Sequence, residues 1–279
     1  MHPSGAASKR SAFEAAACQQ SYRVADVELA TCKLHGGAAV LCSTAGKVGR
    51  NGRSAAVGAT LFWLTCPYLN TMVARLERHG AVGALQRLVD ENGRLAAQHV
   101  ASHARYEARA RALLSDQRWA FFESHFVSPP ESASGRKYGN AAVGHAKDLK
   151  CLHALVAQSL CGAPNPIGDA VLQYILHLSK RVEAVRQPER ESLPAKEAKA
   201  AAAAAGEEEK DNAAPACVSS LDDISAFVAF VEGWALQTED ERGAFPSALD
   251  ANDVCSAACN VLTFLEGRPP RPRKKHRIN

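Results

Sequence analysis

The sequence predicts an α+β fold that is mostly α. A small antiparallel sheet near the N-terminus packs against a helical region, and a C-terminal helical appendage follows. Two observations lead there. Apolar residues recur with period 2 only between residues 22 and 65, and with helical spacing beyond Cys66. The apolar share, 47% of 279 residues, is enough to build one substantial core.

Residues 1–20 read as a flexible leader. YRVADVELATC alternates and predicts a strand ending at Cys32, KLHGG predicts a turn, and AAVLCST (38–44) a partner strand. GKVGRNGR (46–53) is a glycine-rich basic loop. VGATLFWLT (57–65) is β-branched and aromatic, which predicts a third strand at the centre of the sheet. Pro67 suits the first position of a helix, and Leu69, Met72, Val73 and Leu76 give it one apolar face, with Gly80 at its end.

A second helix is expected over 81–92, and a longer one from Arg94 to Phe126 that carries Arg105, Arg109 and Arg111. SPPESASGRKYGN (128–140) must be a loop. DLKCLHALVAQSL begins a helix spanning about 147–161, which breaks before Asn165 and Pro166, the N-cap and N1 of the next. That helix buries Val171, Leu172, Ile175 and Leu178.

Composition then divides the chain. Residues 187–216 are Ala, Glu, Lys and Pro with almost no large apolar side chain, and read as a linker that cannot bury a core. Residues 217–267 read as the appendage, with helices near 221–236 and 248–266, and RPPRPRKKHRIN (268–279) as a basic tail. The folded domain before the linker spans 21–186.

The net charge of +4 is mild and does not by itself imply a nucleic-acid partner. The basic loop and tail support only a weak one. No segment predicts a membrane span; AAVGATLFWLTCPYL (55–69) is too short and is broken by Thr65, Cys66 and Pro67. The N-terminus lacks an export signal, and nine cysteines without one argue for a reducing interior. An intracellular, cytoplasmic protein is the expectation, with mitochondrion and nucleus left open.

Most of those cysteines read as small buried residues. Position singles out some of them. Cys32 ends the first strand, the third strand runs into Cys66 just before a helix, and Cys151 with His153 opens another. Helix N-termini favour thiolate. In a regular helix Cys151 and His153 would point about 200° apart, a constraint that loosens at a helix start. Together Cys32, Cys66, Cys151 and His153 make three sulfurs and one nitrogen, a ligand set for tetrahedral zinc; an iron–sulfur cluster is the other cofactor such residues could hold. His99 and His103, at i, i+4 in HVASH, lack the Glu of a zincin and read as a solvated face; Cys255 and Cys259 read as small core residues.

Two blocks, VGATLFWLTCPYLNTMVARLERHG (57–80) and DLKCLHALVAQSLCGAPNPIGDAVL (148–172), together resemble the DUF501 family, whose members have no known function and are common in bacteria. SHARYEARARALL between them is similar to that family's Tyr-and-Arg helix, and ATCKLHGGAAV matches a shorter upstream motif more loosely. The resemblance covers roughly residues 22–180. Its motif residues fall on Cys32, Cys66, Pro67, Arg75, Glu77, Cys151, His153, Asn165, Pro166 and Gly168. The upstream Pro is missing here, and the family's later histidines are absent from HALVAQS. The resemblance implies no activity, but its signature contains the cysteines and histidine that position had singled out.

Three functions follow as expectations. The first is a metal-binding protein whose Cys/His site joins sheet to helices. The second is a metal-free enzyme with Cys151 as nucleophile, and the third a nucleic-acid-associated factor using the basic loop and tail.

Overall fold

The computed structural model describes residues 27–44, 57–131, 135–191, 223–236 and 249–268. The expected leader, the basic loop 46–53, most of the linker and the tail beyond Arg268 lie outside them. The architecture is mostly helical with one three-stranded antiparallel sheet, as the patterning predicts.

Strands β1 (Val27–Cys32) and β2 (Gly37–Cys42) form a hairpin in which Cys32 pairs with Gly37. The turn closes through the Gly36 N–H, which donates to the Cys32 carbonyl at 3.0 Å. Strand β3 is shorter than expected, Phe62–Leu64, and pairs with β2, so it is an edge and β2 the centre. The reason is local. The N–H groups of Leu61 and Phe62 donate to Asn140 Oδ1 at 3.1 and 2.9 Å, and the Tyr106 hydroxyl donates to the Ala59 carbonyl at 2.6 Å. Side chains from a helix (Tyr106) and from the 138–148 loop (Asn140) thus satisfy the backbone that a longer strand would have paired.

Helix α1 (Pro67–Arg78) has Pro67 at its start and buries Leu69, Met72, Val73 and Leu76. Gly80, at φ 88°, takes the left-handed turn that leads into α2 (Ala81–Glu91). Asn92 caps α3 (Gly93–Leu113), its side chain accepting from the Leu95 N–H at 3.0 Å.

The expected single helix to Phe126 is broken instead. Leu114 and Ser115 are extended (ψ 143° and 159°) before α4 (Asp116–Phe122), which ends in a π-helical turn over Glu123–Val127. Leu114 turns inward and is buried, and Asp116 sits in the first turn of α4, where the helix dipole favours it. His99 and His103 are buried too, not solvated. Their α3 face lies under the 138–148 loop, and His103 Nε2 is 2.7 Å from the Ala146 carbonyl.

Helix α5 (Leu152–Leu160) packs on α6 (Pro166–Glu191), whose first turn is capped by Asn165 Oδ1, accepting from Ile167 and Gly168 N–H at 3.0 and 3.1 Å. A Cβ on Gly168 would collide with the Leu155 carbonyl, so glycine here sets how closely the two helices approach. Arg105 and Arg109 of α3 donate to the carbonyls of Pro164 and Cys161 at 2.8 and 2.9 Å, holding the turn between them. The Asn165, Pro166, Gly168 motif and the arginine helix are therefore architectural.

Helices α7 (Ile224–Leu236) and α8 (Ala251–Glu266) stand where the appendage was expected. They share the main core: α7 packs on α2 and α6, α8 on α1, α6 and β1. Phe227, Val231, Val254, Val261 and Leu262 are fully buried there. Helix α6 runs to Glu191, into the stretch read as linker. Among the described residues no helix is long and apolar enough to cross a membrane.

Candidate functional site

Of the four residues singled out, Cys32 and Cys66 come together at one end of the sheet, and Cys151 and His153 fall in a second group. Each group recruits a residue that spacing had not marked.

In the first, ligand atoms of Cys32, His35 and Cys66 all lie within 4.8 Å of one another. Cys32 ends β1, His35 lies in the hairpin turn three residues on, and Cys66 is the residue before α1. Cys66 is held at that junction by its own N–H, which donates to the Ala39 carbonyl of β2 at 3.2 Å. Both cysteines are buried, and His35 is half-buried with its Nε2 out of solvent and without a hydrogen-bond partner.

A third thiol joins them: Cys255 of α8, fully buried, hydrogen-bonds with both Cys32 and Cys66. Hydrogen bonds from the Cys255 and Cys66 thiols draw Cys32 well below the usual thiol range, while burial pushes Cys66 up to about 12. Hydrogen bonding to Cys32 and Cys66, with burial, holds Cys255 protonated. The cluster thus stabilises one thiolate at Cys32. Two sulfurs and an imidazole nitrogen in such proximity are a donor set that could hold a metal ion.

The second group is Glu77, Cys151 and His153, again within 4.8 Å. Cys151 is the N-cap of α5, with extended backbone (φ −150°, ψ 115°), and this lets its side chain and that of His153 serve one site. Glu77, from the last turn of α1, accepts from the Leu152 N–H at 2.7 Å and stands 3.1 Å from His153 Nδ1. His153 Nε2 lies 3.2 Å from the Asn70 carbonyl. Burial alone would depress the imidazole; hydrogen bonds with Cys151 and Glu77 outweigh it and raise the ring to about 10. Burial works against the Glu77 charge, but the His153 hydrogen bond prevails and keeps the carboxyl below its usual value. With acceptors at both ring nitrogens, His153 is an imidazolium. This group is more exposed than the first: the His153 and Glu77 side chains are 23% and 26% accessible.

One buried residue joins the frames of the two groups. Asn140 Nδ2 donates to the carbonyls of Phe62 and Ala154 at 2.8 and 2.9 Å while Oδ1 takes the Leu61 and Phe62 N–H groups. It ties β3, which leads to Cys66, to α5, which follows Cys151. None of the described cysteines is in a disulfide.

The model of the family described as "Protein of unknown function (DUF501)" matches residues 29–173. The chain belongs to the DUF501 family. No curated protein and no solved structure matches it. The DUF501 match takes in Cys32, His35, Cys66, Glu77, Cys151 and His153 and ends before α7 and α8, so Cys255 lies outside it.

Proposed function

We propose that this DUF501 protein binds a zinc ion through Cys32, His35 and Cys66, and that the ion is structural. The observation behind this reading is the meeting of three ligand atoms within 4.8 Å, two of them on buried cysteines. Thiolate and imidazole together suit zinc and not the hard cations, which take oxygen. An iron–sulfur cluster ordinarily takes four cysteines, so the imidazole favours zinc. The ion would fasten the β1–β2 turn to the start of α1, and its binding energy would then be folding energy. Protein purified without a polyhistidine tag should carry zinc near one equivalent by elemental analysis. Metal-free protein whose stability does not change on adding zinc would overturn the reading.

The second group supports a second reading, the one in which Cys151 is a nucleophile. Glu77, Cys151 and His153 could themselves hold a metal, but both His153 ring nitrogens already face acceptors, which favours a thiol–imidazole pair here. A thiol at the start of a helix with an imidazole in the same group is the arrangement of a Cys/His nucleophile pair. Cys151 should therefore be alkylated by iodoacetamide at neutral pH faster than the other cysteines, and H153N should slow it. Equal rates in the two proteins would count against this reading. A free, half-buried thiol used as a nucleophile fits a reducing compartment such as the cytoplasm.

A further inference from the structure

Cys32, His35 and Cys66 supply one ligand fewer than a closed structural zinc site takes. Cys255 is in contact with two of the three. A tetrahedron with zinc–sulfur bonds of ~2.3 Å has sulfur–sulfur edges of about 3.8 Å, the reach of a thiol–thiol hydrogen bond. Cys255 hydrogen-bonds with both Cys32 and Cys66, so it is placed to close on the three ligands that already lie within 4.8 Å of one another. The His35 nitrogen, within 4.8 Å of the Cys32 and Cys66 sulfurs, would take the remaining corner as the ligands draw in around the ion.

We propose that Cys255 is the fourth ligand, completing a Cys3His zinc centre that clips the C-terminal helix α8 to the family domain. The inference rests on the metal reading above and adds to it the partner that closes the site.

Two further observations favour a ligand over simple packing. Three cysteines packed only as small apolar residues would not need an imidazole beside them, yet the His35 ring hydrogen-bonds with Cys32 and keeps its Nε2 out of solvent. And α8 is aligned on the hairpin independently of sulfur: the Lys33 N–H, next to Cys32, donates to Asn252 Oδ1 at 2.9 Å, one turn before Cys255. Because the family match ends at residue 173, the fourth ligand comes from a segment outside it, and metal occupancy becomes the state in which that segment is docked.

The test is cobalt(II) reconstitution of the metal-stripped full chain, comparing wild type, C255S, C259S and C66S. Wild type should take up one ion with sulfur-to-cobalt charge-transfer absorption. C255S should lose about a third of that absorption, one thiolate in three, and bind zinc at least about tenfold more weakly. C259S should match wild type.

A C255S protein with wild-type absorption and affinity overturns the role of Cys255; if C66S still fails to bind, the three-ligand centre stands. Wild type that takes up no ion overturns both. Should C255S not fold, wild type suffices: adding a chelator should open Cys255 to alkylation in step with Cys32 and Cys66. A Cys255 that stays protected while those two react overturns the inference.

Discussion

Cys66 and Cys151 occupy the same local position. Each is the residue before a helix, and neither caps that helix with its side chain. Their surroundings then diverge. Cys66 is fully buried among thiols, with burial pushing it up to about 12; Cys151 is half-buried beside an imidazole and a carboxylate. The helix N-terminus is common to both, so it does not decide what either cysteine does. Burial and the nearest partner decide. Where thiols and an imidazole meet out of water, a metal ion is what we propose they hold. Where a half-buried thiol meets a charged imidazole and a carboxylate, a nucleophile is the reading we propose.

The largest expected effect breaks the buried side of this pair. C66S or C32S should lose zinc and stability together, by about 4 kcal/mol, or roughly 10 °C in Tm for a chain of this size. Thermal melts with elemental analysis of the same samples measure both. Loss of stability without loss of metal would mean that these cysteines are core residues only. C151S, by contrast, should keep its zinc.

The next effect weakens the frame common to both groups. Asn140 is fully buried and bonds to the backbone of Leu61, Phe62 and Ala154. N140A takes the side-chain partner from the Phe62 N–H and from the Phe62 and Ala154 carbonyls, while the Leu61 N–H keeps the Tyr106 hydroxyl. That should cost about 2 kcal/mol. Urea titration should show it with zinc still bound, since no ligand has been removed.

Much of this frame is legible in the sequence because it rests on period and punctuation. Pro67, the apolar stripe from Leu69 to Leu76 and Gly80 predict α1 to within a residue, and Asn165 and Pro166 predict the start of α6. What is not legible depends on distant neighbours. The short edge strand β3 owes its ends to Asn140 and Tyr106, 47 to 79 positions away.

His99 and His103 read as a solvated face because their burial comes from a loop far along the chain. His35 did leave a signal, the tight Cys32-x-x-His35 pair, hidden because KLHGG already read as a turn. Cys255 left none: among Ala and Val it looks like any small core residue, and only the docking of α8 brings it to the sulfurs. Glu77 and His153 could be paired only once α1 and α5 were packed.

A smaller effect sharpens the exposed side and carries a sign. His153 is raised to about 10 by Cys151 and Glu77, above its unfolded value of 6.5. Its contribution to stability is therefore complete below pH 6.5 and is lost as pH rises through about 10. Glu77 is shifted the other way: its contribution is present above pH 4.5 and is lost as pH falls through its lowered folded value. Melting temperature should fall between pH 6.5 and 10 in wild type. E77Q, which leaves the imidazole without its carboxylate, should flatten that fall and slow alkylation of Cys151. A pH profile identical in the two proteins would mean that the pair is not formed.

The smallest expected effect separates one cysteine of α8 from the other. Cys259 lies one helical turn beyond Cys255, so a helix that merely collects thiols would use both. Their environments differ. Cys255 is fully buried against the Cys32 and Cys66 sulfurs. Cys259 is half-buried and stands 3.9 Å from the Thr263 hydroxyl, which itself donates to the Cys259 carbonyl at 2.7 Å. Serine at 259 keeps a polar group beside Thr263 and takes nothing from the sulfur cluster. C259S should therefore stay within about 0.5 kcal/mol of wild type, as partly exposed positions without a special partner usually do. Chemical denaturation of C259S beside C255S makes the comparison. If C259S alone releases zinc, the register of α8 on the sheet is one turn from the one described, and the fourth sulfur is the wrong one.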